Sequence, residues 1–282
     1  MKKKVKILVA AFIITATCII YSNKHIDVTK YDISDNQIPK TFDGYKIAQI
    51  SDLHSVNNWF QADKKSLLRK LKKNDPDIIV MTGDMVDKDD QKKKTITYEF
   101  VEECAKIAPV YYVTGNHETT LKKSLDAFLE SINDIDNVQV LRNKTVEIVK
   151  GDDRLVILGI DDPALLKYNT TIRKTICGLK QGYENDYVIL LAHRPERIDD
   201  YVNNDVDLVF TGHSHGGQVR IPFVGGVFAP NQGLWPKYTS GVIDKDDIKM
   251  IISRGVGNST SMFAKIRFNN SPELVIATLH CE

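Results

Sequence analysis

Tyr45-Lys46-Ile47-Ala48-Gln49-Ile50-Ser51-Asp52-Leu53-His54 decides the fold, because two later stretches follow the same plan. Asp77-Ile78-Ile79-Val80-Met81-Thr82 runs into Gly83-Asp84, and Val110-Tyr111-Tyr112-Val113-Thr114 runs into Gly115-Asn116-His117. Each is a short apolar run closed by small or polar residues, the pattern of a buried strand. Gln61 to Lys73 lies between the first two and reads as a helix, with Leu67, Leu68 and Leu71 on one face and Asn74-Asp75-Pro76 stopping it. Thr95 to Ile107 reads as a second helix, closed by Pro109. The order is βαβαβ, so helical crossovers return the chain and the strands lie parallel. In such sheets the loops at the carboxyl ends converge on one rim, where sites are built.

Towards the C-terminus the pattern loosens. A helix is expected near Leu121 to Ile132, and strands at Val138–Leu141, Thr145–Lys150 and Arg154–Ile160, with Gly151-Asp152-Asp153 as a turn. Thr171 to Leu179 reads as helical. Tyr187–Ala192 and Val206–Phe210 are buried strands ending at His193 and at Gly212-His213. Gln218–Ile221, Gly241–Ile243, Ile248–Ile252 and Glu273–Leu279 complete a strand-rich final third. No internal repeat interrupts this order. The expected fold is α/β, one catalytic domain over residues 44–282 with two stacked mixed β-sheets flanked by helices.

Towards the N-terminus, residues 25–43 read as a tether containing one strand, His25 to Ile33. Before it, Lys2, Lys3, Lys4 and Lys6 precede an apolar stretch, Ile7 to Tyr21, and then Ser22-Asn23-Lys24. That is the layout of a signal anchor over residues 1–24. The lysines would stay in the cytoplasm and the domain would lie outside, at the cell membrane. Cleavage of the leader would leave the domain secreted on the same side. Cys18, Cys104, Cys177 and Cys281 form no C-x-x-C pair, so a zinc ribbon is excluded; an external location would permit one disulfide.

The chain has 282 residues, 42% of them hydrophobic, enough for a core. With 38 Lys plus Arg against 37 Asp plus Glu the net charge is +1, so no strong field favours nucleic acid, and no nucleic-acid partner is expected.

The chemistry lies in five islands: Asp52-Leu53-His54, Gly83-Asp84, Gly115-Asn116-His117-Glu118, His193 and Gly212-His213-Ser214-His215. Singly, each has an ordinary explanation as a turn or a satisfied histidine. Together, in this order and each ending an apolar strand, they offer carboxylates, an amide and imidazoles, the donor mix for two borderline divalent cations. In an extended loop, residues two apart point the same way. Asp52 with His54, and His213 with His215, could thus each serve one ion. Gly83 permits a tight turn, and the Asp84 carboxylate can bridge two cations.

These islands resemble the calcineurin-like metallophosphoesterase superfamily. The resemblance covers residues 45 to 280 or so and every metal motif. Leu191-Ala192-His193-Arg194-Pro195-Glu196, Gly212-His213-Ser214-His215-Gly216-Gly217-Gln218, Gly159-Ile160-Asp161-Asp162-Pro163 and Ser253-Arg254-Gly255-Val256-Gly257 are similar to its membrane-tethered bacterial branch. That branch comprises the YkuE- and YaeI-like phosphoesterases and relatives of UDP-2,3-diacylglucosamine pyrophosphatase. The resemblance implies a four-layer sandwich and two divalent ions (Mn, Zn or Fe). Asp52, His54, Asp84 and His215 would hold the first ion, and Asp84, Asn116, His193 and His213 the second. His117 would be catalytic, as general acid or cationic stabiliser, with Arg194 or Arg254 adding positive charge. The reaction implied is hydrolysis of a phosphodiester or pyrophosphate by a metal-bridging hydroxide. The substrate expected is lipid-linked or from the cell envelope, and Gly225 to Trp235 could line an apolar channel to it. A phosphomonoesterase, a nuclease-type phosphodiesterase and a non-catalytic metal-bound scaffold are the alternatives.

Overall fold

In the computed structural model, residues 2–55, 63–87, 89–166, 170–202, 204–258 and 266–282 are described. The three decisive runs form strands β2 (Lys46–Ile50), β3 (Ile78–Thr82) and β4 (Val110–Val113), paired in parallel in that order. Every residue of β3 and β4 is buried, which explains their unbroken apolar character: both faces of a central parallel strand are covered. Helix α1 (Lys2–Lys24) and strand β1 (Asp27–Asp35) precede them. The crossovers are α2 (Lys64–Asn74) and α3 (Gln91–Ala105). Residues 61 and 62, where the first crossover helix was expected to begin, lie outside the described residues. Asp63 caps α2 by accepting from the amides of Lys65 and Ser66. Helix α3 starts at Gln91 rather than Thr95 because the Asp90 carboxylate accepts from the Lys93 amide at 3.0 Å and fixes the first turn there.

A 3₁₀ segment over Glu118–Ser124 leads into α4 (Leu125–Asn133), followed by β5 (Val138–Val140), β6 (Lys144–Lys150) and β7 (Asp153–Gly159). Then come α5 (Ile172–Leu179), β8 (Tyr187–Leu191), α6 (Ile198–Tyr201) and β9 (Leu208–Thr211). Two small hairpins follow, β10 (Arg220–Ile221) with β11 (Gly225–Gly226) and β12 (Phe228–Ala229) with β13 (Gly233–Leu234). The strand expected from Gln218 is therefore shorter: Gln218 has φ 58°, which breaks it before Arg220. β14 (Gly241–Lys245), β15 (Ile248–Ile252) and β16 (Glu273–Cys281) close the chain.

The strands make two six-stranded mixed sheets, ordered β1-β16-β2-β3-β4-β5 and β14-β15-β9-β8-β7-β6. Ile47, Val80, Val113, Ile157, Leu191, Phe210 and Val275 pack between them. Leu67, Leu71, Phe100, Val101, Phe128 and Leu129 cover the outer face of the first sheet, and Ile172, Ile176, Ile198 and Tyr201 that of the second. The result is helix, sheet, sheet, helix, as expected. Each such buried aliphatic side chain contributes roughly 1.5–3 kcal/mol by transfer.

The strand read inside the tether is β1, and it is an integral edge of the first sheet. It runs parallel to β16 with Asp27 opposite Glu273 and Asp35 opposite Cys281. The folded sheet thus begins at Asp27, well before the boundary placed at residue 44. The four cysteines are unpaired, Cys104 buried and Cys177 exposed.

Candidate metal centre

β2, β3, β4, β8 and β9 all end at one rim, and the five islands sit directly beyond them. The backbone there leaves ordinary conformations. Asp52, His54, Asp84, His213 and His215 have φ of 53°, 54°, 55°, 66° and 46°. The left-handed region costs non-glycine residues about 1–2 kcal/mol each, and such strain collects at functional sites. This corrects the reason given for the paired spacings. Neither Asp52 with His54 nor His213 with His215 lies in an extended loop; left-handed backbone turns Asp52 and His54 into one group, whereas His213 and His215, expected to serve one ion, part between the two groups. Gly257 makes this winding possible, since a Cβ on it would lie 2.1 Å from the Leu53 carbonyl oxygen.

Six of the seven expected metal ligands converge in two groups. His54 Nε2 lies 3.1 Å from His215 Nε2, and His193 Nε2 lies 3.1 Å from His213 Nδ1. Asp52 Oδ1 is 3.5 Å from His215 Nε2. Asp84 Oδ2 sits between the two clusters, 3.3 Å from His193 Nε2 and 3.9 Å from His54 Nε2. Asp52, His54 and His215 form one group that could hold an ion, and Asp84, His193 and His213 another. Asn116 Oδ1 is buried and has no hydrogen-bond partner. A buried amide oxygen with no partner is free to serve as a neutral ligand to a cation.

The opposite ring nitrogens give an independent test of fit. His193 Nδ1 is 2.7 Å from the Thr82 carbonyl, His54 Nδ1 3.4 Å from Asp87 Oδ1, and His213 Nε2 3.4 Å from Asn231 Oδ1. The Thr82 and Asn231 oxygens are acceptors, so each draws the ring proton to itself and leaves the inward nitrogen as a lone pair, whereas His54 Nδ1 only faces Asp87 without a hydrogen bond and His215 Nδ1 faces the Arg267 guanidinium at 3.3 Å. The residues therefore suit two cations of the Zn, Mn or Fe kind.

His117 stands apart, its side chain 24% exposed where those of the ligand histidines are at most 5%. Its Nδ1 is 2.8 Å from Asp87 Oδ1, and its Nε2 faces the site 3.9 Å from Asp84 Oδ2. Its backbone amide donates to Asp84 Oδ1 at 2.7 Å.

Two residues that carry this arrangement were assigned no role from sequence. Asp87 faces the Nδ1 atoms of both His54 and His117 and is held by Lys93 Nζ at 3.3 Å. The closeness of Asp84 and Asp87, three residues apart after the same strand, was the available signal. Glu118 is fully buried. Its carboxylate accepts from the amides of Asp84, Met85 and Gly115 and from the Tyr112 hydroxyl, at 3.0, 2.9, 2.8 and 2.7 Å. It staples the loop after β3 to the loop after β4. Arg194 and Arg254, expected to add positive charge, are both ion-paired. Arg194 donates to both oxygens of Asp162 at 2.7 and 3.0 Å, and Arg254 pairs with Asp27 and Glu273. Both guanidiniums are paired with carboxylates, and the Arg194 charge still reaches the site, where it helps to lower His213.

Without cations, the site divides its protons unevenly. Burial would lower His193, but the Asp84 charge overrides it and lifts the ring to about 10. Burial is likewise outweighed at His117 by Asp84 and Asp87, which raise it to about 9. Burial, with His193 beside it, pushes His213 down to about 3. Burial and neighbouring His54 and Arg267 keep His215 neutral as well. Buried Asp84 is held well below the carboxylate range by His193 and His117. A strongly anionic pocket thus recruits protons where cations would otherwise balance it.

The family model described as calcineurin-like phosphoesterase matches residues 45–217. The chain belongs to the calcineurin-like phosphoesterase family. It is a metallophosphoesterase and hydrolase. It is 29% identical over 269 residues to the metallophosphoesterase YkuE of Bacillus subtilis, covering 90% of this chain and 85% of that one. It is 25% identical over 311 aligned positions to the UDP-2,3-diacylglucosamine pyrophosphatase LpxG of Chlamydia trachomatis, covering 85% of each. Among solved structures, the sulfate thiohydrolase SoxB of Thermus thermophilus superposes with a TM-score of 0.53 at 11% identity, over 86% of this chain and 58% of SoxB, a likeness of fold.

Proposed function

We propose that this phosphoesterase is a membrane-anchored, dinuclear enzyme that cleaves phosphodiester or pyrophosphate bonds in a lipid-linked or other cell-envelope substrate. The observation that carries the reading is the position of Asp84, whose carboxylate lies between two histidine clusters while His117 looks in from the open side. Asp52, His54 and His215 would hold one cation, Asn116, His193 and His213 the other, and Asp84 both. Two bound cations would supply Lewis acidity and a water-derived nucleophile near neutral pH. His117, with its Nδ1–H directed to Asp87, keeps Nε2 turned to the reaction space, where it can protonate the leaving oxygen. Thr82 and Asn231 hold the His193 and His213 rings in register, so little reorganisation of them accompanies the reaction.

Support for the envelope setting comes from α1. Lys3–Lys24 is long and apolar enough to cross a membrane, by length and composition. Four lysines at its start favour a cytoplasmic N-terminus and an external domain. Similarity to LpxG supports a substrate with a lipid-linked phosphate, as an analogy between relatives. Hydrolysis of bis(p-nitrophenyl) phosphate and of p-nitrophenyl phosphate with Mn or Zn tests the reaction class. Diester turnover that Asp84→Asn and His117→Ala nearly abolish is expected. Preference for the monoester would favour the phosphomonoesterase reading, and inertness with metal bound would leave a scaffold.

A further inference from the structure

The hairpins after the last metal ligands carry the largest exposed apolar cluster outside α1 among the described residues. Phe223 and Val224 form the tip between β10 and β11, and Leu234 and Trp235 close the hairpin of β12 and β13. All four are exposed, Phe223 fully and Leu234 by 70%. Lone surface apolar residues need no explanation, but four large ones on adjoining hairpins do. They are not loosely attached. The Val227 amide donates to the Gly217 carbonyl and the Trp235 amide to the Val227 carbonyl, so the two hairpins form one body. A Cβ on Gly217 would lie 2.4 Å from the Gly226 Cα, so the backbones are in direct contact.

That body joins the end of α1. Ser22 and Asn23 are buried although the helix before them is exposed. Asn23 Nδ2 donates to the Arg267 carbonyl at 2.8 Å, and Asn23 Oδ1 accepts from the Arg267 amide and from Asn258 Nδ2, each at 3.0 Å. One residue on, Phe268 bridges Val219, its carbonyl accepts from the Arg220 amide at 3.0 Å, and Asn269 Nδ2 donates to the Arg220 carbonyl. The segment 267–269 therefore ties the point where α1 meets the domain to the root of the exposed hairpins. The same hairpins reach the metal centre through Asn231, beside His213.

We infer that Phe223, Val224, Leu234 and Trp235 sit in the interfacial layer of the same bilayer that α1 crosses, so that the metal centre opens at the lipid surface. The inference rests on the anchored reading above and adds where the domain's mouth faces. Trp235 with the exposed Lys237 two residues on is the composition that membrane interfaces select, an amphipathic ring beside a cation that reaches lipid phosphate. A lipid phosphate would then reach the site without leaving the membrane, whereas a soluble substrate would gain nothing from the arrangement.

The chain has two tryptophans, so Trp59→Phe makes Trp235 the sole indole. The full chain carrying that change is reconstituted into phosphatidylcholine vesicles with and without dibrominated acyl chains. Quenching of Trp235 by the brominated lipid, and a red shift with loss of that quenching on adding Phe223→Asp and Leu234→Asp, is the expected result. Emission that ignores bromine and is quenched by aqueous iodide would overturn the inference. Hydrolysis of the soluble diester should be unchanged by Phe223→Asp and Leu234→Asp, which also reports that the variant is folded. If the wild type hydrolyses no diester while Trp235 is still quenched by brominated lipid, the catalytic reading fails and the docking surface stands.

Discussion

Replacing Glu118 by alanine removes one carboxylate and leaves four buried donors without an acceptor. They are the amides of Asp84, Met85 and Gly115 and the hydroxyl of Tyr112. Each stranded donor costs about 1–3 kcal/mol, and water entering the vacated space keeps the cost towards the lower end. The expected destabilisation is therefore about 4–6 kcal/mol, a large part of the roughly 5–15 kcal/mol that holds a typical domain. Glu118→Gln keeps the shape and one acceptor oxygen for the Asp84 and Gly115 amides but turns an amide N–H₂ towards the Met85 amide and the Tyr112 hydroxyl, so at most about half the loss is expected, roughly 2–3 kcal/mol. Urea unfolding of metal-free protein, followed by circular dichroism, measures both without a contribution from bound ions. If Glu118→Ala unfolds within about 1 kcal/mol of wild type, the staple between the β3 and β4 loops is not what holds Asp84 and Gly115 in place.

Three further outcomes follow from the site. His117→Ala should retain both metals by elemental analysis while lowering turnover by about 10²–10⁴, the range for losing a general acid; loss of metal would make it a ligand instead. His193 stands at about 10 without metal and must be neutral to ligate. Metal binding at pH 7.5 should therefore release about one proton per chain, read by titration calorimetry in buffers of different ionisation enthalpy, with zero release contradicting the ligation. Asp87→Asn should lower the His117 titration midpoint of metal-free protein from about 9, as followed by NMR. Because that midpoint is raised from 6.5, the stability drawn from the charged ring is present below pH 6.5 and fades as pH rises through 9; Asp84 still raises the ring in the variant, which should keep a reduced pH dependence.

The strand-borne part of the site was legible because each ligand directly follows an apolar run. Asp52, Asp84, Asn116, His193 and His213 all lie within three residues of a strand's end, so pattern and topology place them on one rim. Asp87 and Glu118 were not, because a buried carboxylate acts through partners that local sequence does not name. Glu118 bonds three residues back to Gly115 and across to Asp84 and Met85, contacts that exist only once β3 and β4 pair. The carboxylate partners of Arg194 and Arg254 were illegible for the same reason: Asp162, Asp27 and Glu273 come from distant segments. β1 was legible as a strand and illegible as a sheet member, since its partner β16 is the last strand of the chain. The left-handed turns beginning at Asp52 were hidden because Gly255 and Gly257, about 200 residues on, pack against Asp52 and Leu53.

The central claim is that Asp84 bridges two cations. Anomalous diffraction from crystals soaked in Mn tests it most directly. Two peaks about 3.5–4 Å apart should appear, one beside Asp52, His54 and His215 and one beside Asn116, His193 and His213, with Asp84 between them. A single peak, or a peak seated on Asp87 and His117, would contradict the account.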